Sequence, residues 1–368
     1  MIHLRPSSSP VWTKCALAPR LMAMAPAEEP GDPAREGTCA AWVAEMVLRG
    51  ERADCASMIG EAHGNGWVVD TPMAHYVQGY VDVLRGYGGK IDVERKVRLN
   101  DYIAGTPDSF ATVDDDTLHV DDLKYGFEIV EPTTPQIYIY AGALVRHIYR
   151  YGGTLRRVVL GIYQPRAFHP SGIHRTISMA PEDLMRNVQE IERAGAAAQR
   201  DDAMATPGRH CRRCSGAAHC AAVAHEAYKC HTVMLNGQQR AMTAQEMARE
   251  MDFLATAEAL LKGRKDAVEA EATARRDRGE SIPGWHMERG HGQRRWKFDA
   301  KTVRMVTGVD PTSGKMVTPA ELERQGASPE TVKHLTETPL TRPKWKPVPQ
   351  GYYAALFTTT TQTGDTNE

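Results

Sequence analysis

The sequence predicts an α/β protein with a mixed central sheet flanked by helices, followed by a mainly helical C-terminal region. Residues 91–124 alternate between apolar and polar side chains in short runs, which is typical of antiparallel strands. A helical pattern and then a nearly continuous apolar strand follow over residues 135–164. This order of elements predicts one sheet that contains both antiparallel and parallel pairs.

The first part of the sheet is predicted as a meander of three antiparallel strands over residues 91–99, 108–113 and 118–124. In the third strand, the period of two places Asp122 and Lys124 on the apolar face. Asp121 then points to the other face, where we expect it to be solvated.

A crossover predicts the rest of the sheet. Residues 135–151 form a helix in which Gln136 and Tyr140 share one side, and residues 156–164 form a strand buried on both faces. Right-handed strand–helix–strand units pair their strands in parallel, so this strand is expected beside residues 118–124. Two further helices are predicted at 38–49, capped by Thr38, and at 181–200.

The C-terminal third has a different character. Thr243 and Glu246 form a capping box that opens a helix to about residue 278, and residues 286–298 are predicted to form a hairpin turning at 290–292. We predict domains at 1–235 and 236–358 and a disordered tail at 359–368. Arg294 and Arg295 would contact nucleic acid by charge; the alternative is a hairpin with solvated arginines.

Composition excludes several classes of protein. The net charge of −1 gives no bulk attraction to nucleic acid, so any such binding needs local basic patches. No run of about 18 apolar residues predicts a membrane span, and the N-terminus lacks a secretory pattern, so a cytoplasmic location is expected. Seven cysteines, an odd number, argue against a disulfide framework.

Three cysteines predict a metal site. Cys211, Cys214 and Cys220 follow a C-x2-C-x5-C spacing on a glycine-containing loop, which thiolate ligation explains better than burial does. A tetrahedral site needs a fourth ligand, and zinc is the alternative to an iron–sulfur cluster. The candidates for the fourth ligand are Cys15, Cys39, Cys55, Cys230, His210 and His219.

Carboxylates in the meander predict a second metal site. Asp108 and Asp122 lie on adjacent strands and could share a Mg²⁺ or Mn²⁺ ion, with the carbonyl of Leu123 as a further ligand. Lys124 could orient an attacking water or stabilise developing charge, and Glu94 is a further acidic candidate. The alternative is a salt bridge at a strand end, which is common and weak.

The order of these residues resembles the PD-(D/E)XK nuclease superfamily in its RecB-like branch. The resemblance rests on Asp108 in Gly-Thr-Pro-Asp, on Asp122 and Lys124 in Asp-Leu-Lys, and on Gln136 and Tyr140 in Gln-x-x-x-Tyr. It implies metal binding by the two aspartates, a catalytic lysine, and DNA contacts by Gln136 and Tyr140.

The cysteines extend the resemblance to RecB-like nucleases with an iron–sulfur staple. There, one cysteine before the nuclease core and three after it bind a [4Fe–4S] cluster. The segment from Pro6 to Cys15 resembles the start of a phage and prophage family with a cysteine at this place, which implies Cys15 rather than Cys39 as the fourth ligand. DNA, single-stranded or as duplex ends, and a recombination protein are the implied partners.

One residue departs from that pattern. Where RecB-like members carry a metal-binding histidine in the early helix, this chain has Ala41, and Glu45 one turn later is a candidate replacement; its alternative is a solvated helix charge. The predicted function is a metal-dependent DNA exonuclease of phage recombination or replication. The alternatives are a DNA-binding protein that has lost cleavage and a zinc-bound structural protein.

Overall fold

Five strands build the main sheet in a computed structural model that describes residues 1–27, 30–235, 243–312 and 316–347. The strand bounds are β1 Lys90–Val93, β2 Val97–Arg98, β3 Ala104–Gly105, β4 Ser109–Val113, β5 Thr117–Leu123, β6 Arg157–Tyr163 and β7 His174–Met179; β2 and β3 pair separately. The spatial order in the main sheet is β1-β4-β5-β6-β7, with β5 and β6 parallel and the other pairs antiparallel. The predicted mixed sheet, its meander and its parallel pair are thus confirmed.

Helices cover both faces of this sheet. The helix bounds are α1 Ser9–Trp12, α2 Ala18–Met24, α3 Asp32–Leu48, α4 Thr71–Arg85, α5 Pro135–Arg150, α6 Pro181–Gln199, α7 Ala221–Leu235 and α8 Ala244–Asp277. One apolar core joins α5 and α6 to Leu118, Val120 and Leu160 of the sheet, and a second joins α3 and α4 to Leu123 and Tyr163.

Local structure differs from the prediction at two places before the meander. Helix α3 begins at Asp32 instead of residue 38, because Pro33 fits the first turn of a helix, and Thr38 donates a hydrogen bond to the carbonyl of Ala34. The predicted strand 91–99 is broken after Val93, since Glu94 has a left-handed backbone with φ of 50°.

The chain divides into two compact units, Met1–Glu271 and Ala272–Glu368. In the second, β8 (Trp285–His291) pairs with β11 (Leu340–Pro347), and β9 (Arg295–Trp296) pairs with β10 (Thr336–Glu337). The predicted hairpin 286–298 is therefore wrong: both of its arms find partners at least 40 residues further on. Helices α9 Ala300–Thr307, α10 Pro319–Arg324 and α11 Pro329–Leu335 enclose a small apolar core.

The domain bounds at 235 and 358 stay predictions, and the predicted tail 359–368 lies outside the described residues. The capping box of Thr243 and Glu246 is confirmed, because each residue's backbone N–H donates to the other's side chain. Across the described ranges, no helix combines the length and the apolar character needed to cross a membrane.

Candidate active site

Six side chains meet where β4 begins and β5 ends. Asp108 immediately precedes β4, and the antiparallel register that pairs Ser109 with Asp121 brings it beside the end of β5. We call this group the acidic centre. Its members are Glu94, Asp108, Asp122, Lys124, Gln136 and Tyr140.

Asp122 is the most buried member, at 2% exposure. Its Oδ2 atom lies 2.5 Å from Nζ of Lys124 but makes no hydrogen bond of normal geometry. Burial lowers the pKa of Lys124, yet the carboxylates of Asp122 and Asp108 outweigh that effect and the net pKa is raised. The lysine is therefore held as a cation against the aspartates.

Asp108 is held by the backbone of the neighbouring strand. The N–H of Leu123 donates to its Oδ2 atom at 2.7 Å. Burial raises the pKa of Asp108, and the charge of Asp122 raises it further, while Lys124 opposes both. Two carboxylates thus share a poorly solvated space with one cation, so ionising both would leave an excess of negative charge, and Asp108 holds its proton more tightly than a free carboxyl group does.

Gln136 and Tyr140 reach the acidic centre from the first turns of α5. The side chain of Gln136 accepts from Lys124 Nζ at 3.3 Å and donates to Asp122 Oδ1 at 3.4 Å and to the Tyr140 hydroxyl at 3.3 Å. Burial raises the pKa of Tyr140 to about 12, so its hydroxyl is neutral. Helical spacing of four residues brings both side chains to the same place.

Glu94 adds a third carboxylate from the break after β1. Its backbone N–H donates to the carbonyl of Asp108 at 3.2 Å. Burial raises the pKa of Glu94, and the negative charges of Glu45 and Asp122 raise it further. The positive charge of Arg49 opposes this rise. Glu45 itself is paired with Arg49 at 2.7 Å, so it acts on the acidic centre through its field at Glu94.

Asp121 is buried, and the expectation that it would be solvated is wrong. It is 1% exposed and accepts hydrogen bonds from the Tyr87 hydroxyl at 3.1 Å, while His174 Nε2 lies 3.0 Å from Oδ1. The second apolar core covers this face of β5, so both faces of the strand are buried. A β-carbon on Gly161 would meet this carboxylate, so glycine leaves the room that it needs.

A buried pair that sequence reasoning missed supports the loop after Lys124. The side-chain amide of Gln164 donates to the carbonyls of Gly126 and Glu128 at 2.9 and 2.8 Å and accepts from Arg175 at 2.8 Å. Both side chains are almost fully buried. The apolar run that precedes Gln164 was the signal available, because a polar residue that ends a buried strand needs partners.

The cysteines predicted as iron–sulfur ligands line one cavity. Cys15, Cys211, Cys214 and Cys220 surround it together with apolar side chains of the N-terminal segment. Backbone N–H groups of Thr206, Gly208 and Val223 point at the sulfurs of Cys15, Cys211 and Cys220 at 3.4–3.5 Å. Such contacts stabilise thiolates and tune the sulfurs of metal clusters.

The other candidates for the fourth ligand are placed differently. Cys39 and Cys55 belong to the second apolar core, and His210 lines the cavity but its Nε2 lies 2.9 Å from the carbonyl of Thr206. His219 faces Glu271 at 3.8 Å, and the side chain of Cys230 lies outside the described part.

Arg294 and Arg295, the predicted DNA contacts of the C-terminal region, lie in the second compact unit. Arg294 forms a bidentate pair with Glu323 at 2.7 and 2.9 Å, and Nε of Arg295 lies 2.6 Å from Glu337. Acidic partners therefore offset both charges.

The donor set of the acidic centre suits a hard divalent cation. The charge of Asp122 raises the pKa of Glu94 and of Asp108, and the buried Asp122 Oδ2 is paired, among the described residues, only with Lys124, so a cation there would offset charge that Lys124 alone does not balance. As they stand, no three Asp, Glu, His or Cys side chains of the described residues are grouped tightly enough to hold an ion. Binding of a metal ion in the acidic centre would therefore require side chains to move, and Lys124 would have to move first.

The fold and site define a mixed α/β protein with an acidic centre at the end of its antiparallel meander. The chain belongs to the family described as "Protein of unknown function (DUF2800)", whose model matches residues 2–348. No curated protein matches it.

The chain is similar, at low identity, to two solved structures. One is a "putative exonuclease" from Eubacterium rectale, at 6% identity and a TM-score of 0.34, covering 54% of this chain and 80% of the other. The second is a protein named SSO0001, at 12% identity and a TM-score of 0.27, covering 60% and 86%.

Proposed function

We propose that this protein is a divalent-metal-dependent nuclease that hydrolyses phosphodiester bonds of DNA. The observation that carries the proposal is the meeting of Asp108, Asp122 and Lys124 with Gln136 and Tyr140 at one strand end. The same residues, in the same order, carry the sequence's resemblance to PD-(D/E)XK nucleases of the RecB-like branch.

Each group has a task in hydrolysis. Asp108 and Asp122, with Glu94 beside them, would hold Mg²⁺ or Mn²⁺, which supplies charge neutralisation at the phosphate and an activated water. Lys124 stays protonated beside the aspartates and would donate to the phosphate or orient the nucleophile. Gln136 holds Lys124 and Asp122 in position, and the Tyr140 hydroxyl is available to a phosphate oxygen.

The backbone at Glu94 supports a functional assignment. A glutamate with φ of 50° is an unfavourable conformation, and such conformations cluster at sites where geometry serves activity more than stability. The turn places this carboxylate next to Asp108 instead of continuing the strand. Glu45 adds negative charge from α3, where Ala41 leaves no ligand of its own.

The four cysteines would form a structural site that ties the N-terminal segment to residues 206–223. We assign it a [4Fe–4S] cluster, with Zn²⁺ as the alternative, since four thiol groups line one cavity. As they stand, these thiols are not grouped tightly enough to hold an ion, so binding would draw them together. The second candidate function, DNA binding without cleavage, is favoured by the lysine ion pair, which occupies Asp122 as the structure stands.

Lys124→Met tests the catalytic assignment. We expect Mg²⁺-dependent DNA cleavage to fall by about 10²-fold or more, the usual loss on removing one group that stabilises transition-state charge. Lys301→Met, at an exposed position of α9, is the matched control and should cleave normally. Equal cleavage by the two variants would remove Lys124 from the mechanism.

A further inference from the structure

We propose that a basic groove beside the acidic centre binds a single strand of nucleic acid through its phosphates and bases. The groove is lined by residues of the 95–101 segment, of β4 and of the C-terminal half of α5. That the ligand is DNA rests on the proposed nuclease function. The groove adds the path that the strand takes and a preference for single-stranded over duplex DNA.

The groove carries a local excess of positive charge in a chain whose net charge is −1. Its cationic side chains outnumber its acidic ones by five to two. They are Arg95, Lys96, Arg98, Arg146 and Arg150 against Asp92 and Asp101.

Three of these cations are available to a ligand. Arg146 is bound to Glu192 at 2.8 and 2.6 Å, and Arg95 lies 3.7 Å from Asp92. Lys96, Arg98 and Arg150 are exposed, and in the described part of the chain no acidic group lies within 4.0 Å of their charged atoms. Unpaired exposed cations along one groove are the electrostatic pattern that phosphates recognise.

Aromatic and apolar side chains lie at the groove, which favours a single strand. Leu99, Phe110 and Leu144 line it together with the cations. A duplex keeps its bases stacked inside and presents phosphates, whereas a single strand can lay bases on an apolar or aromatic surface. Tyr151, 75% exposed, packs against His147 of the groove lining, with ring centroids 4.8 Å apart and planes tilted by 57°, so an exposed aromatic ring lies next to the groove.

The groove and the acidic centre are built from neighbouring residues of the same segments of the chain. Arg95 follows Glu94 directly, Phe110 lies two residues after Asp108 on β4, and Leu144 lies one helical turn after Tyr140. From Tyr140 to His147, α5 rises by about 10 Å, which equals about three stacked nucleotides at ~3.4 Å each.

The test is fluorescence anisotropy with end-labelled oligothymidylate and with a duplex of equal length, in EDTA, over a series of salt concentrations. The variant combines Lys96→Gln, Arg98→Gln and Arg150→Gln. Its matched control combines three exposed positions of the second unit, Lys301→Gln, Arg324→Gln and Lys333→Gln. Circular dichroism verifies that each variant folds, and Arg98→Gln alone serves if the triple variant does not.

The slope of the logarithm of the binding constant against the logarithm of the salt concentration measures the number of phosphate contacts. For single-stranded DNA we expect the groove variant, which lacks three cations, to have a slope smaller by about 2, since each phosphate contact contributes ~0.7. If affinities converge at 1 M salt, this equals about 100-fold weaker binding at 0.1 M. Arg98→Gln alone should lose about 0.7 of slope, and the control variant should bind like the wild type.

Three outcomes would refute the proposed role of the groove. The first is an unchanged salt slope in the groove variant, and the second is that duplex binds as tightly as the single strand and is weakened equally by the substitutions. The third is that the wild type does not bind single-stranded DNA. Metal-dependent cleavage by the wild type is measured separately. If the wild type cleaves DNA but the groove variant keeps the wild-type salt slope, only the role of the groove is refuted. If the groove variant has a smaller slope but the wild type does not cleave DNA with any metal ion, only the nuclease assignment is refuted.

Discussion

Replacing Asp108 by asparagine should stabilise the protein in metal-free buffer while removing hydrolysis. Asparagine keeps an oxygen for the Leu123 N–H, now held at 2.7 Å, but removes a carboxyl group whose ionisation is opposed by burial and by Asp122. The ion pair of Asp122 with Lys124 limits the gain in the free energy of unfolding to about 1–2 kcal/mol, which is the usual size for a stabilising substitution at a functional site. For a unit of this size, we expect the melting temperature to rise by about 2–8 °C.

The pH dependence gives the sign of this effect. The pKa of Asp108 is raised by folding, so above about pH 4 the folded state keeps a proton that the unfolded state has lost. The contribution of Asp108 to stability is therefore favourable at low pH and declines as pH rises from about 4 toward the folded pKa. This part of the pH dependence should be absent from Asp108→Asn.

Thermal melts of both proteins in EDTA between pH 4 and 8, repeated with Mg²⁺, measure the prediction. A ligand that binds the folded state adds about 2.7 kcal/mol at 100 times its Kd, and wild type should gain more than the variant. Asp115→Asn, in an exposed turn with a left-handed backbone that asparagine tolerates, should melt like the wild type. A less stable Asp108→Asn with an unchanged pH profile would refute the charge balance described here.

Two further substitutions test the framework of the first unit. Gly161→Ala should cost about 1–3 kcal/mol in urea unfolding, because its β-carbon would meet the buried Asp121 carboxylate, whereas Gly126→Ala, with open space around it, should cost little; equal costs would contradict the packing. Cys15→Ser should lower the iron or zinc bound per chain after anaerobic purification, and Cys39→Ser, in the second apolar core, should not. Equal metal content in the two cysteine variants would remove Cys15 from the ligand set.

Periodicity was sufficient to predict much of the acidic centre. A period of two placed Asp122 of β5 and Lys124, which directly follows the strand, on one face, and a period of 3.6 brought Gln136 and Tyr140 together. The crossover rule predicted the parallel pair of β5 and β6. These regularities are local or topological, so one sequence contains them.

What the sequence did not predict depends on contacts between distant segments. Asp121 is buried because α3 and α4 cover the second face of β5, and its partners Tyr87 and His174 lie 34 and 53 residues away. The left-handed turn at Glu94 broke an alternating pattern that predicts a continuous strand.

The prediction of a hairpin at residues 286–298 was also wrong because of contacts between distant segments. The glycines at 290 and 292 resemble a turn locally, but the N–H of Gly292 donates to the carbonyl of Pro339 at 2.7 Å, and β8 extends up to His291 beside β11. Pairing at this sequence separation leaves no local signal, because either arm fits any strand of matching pattern.

Digestion of end-labelled single- and double-stranded DNA by the wild-type protein tests the central claim most directly. The acidic centre predicts labelled fragments with Mg²⁺ or Mn²⁺ and intact DNA in EDTA. DNA that stays intact at every metal concentration, while anisotropy shows that the protein binds it, would contradict the claim and identify a DNA-binding protein in which Lys124 keeps Asp122 from acting.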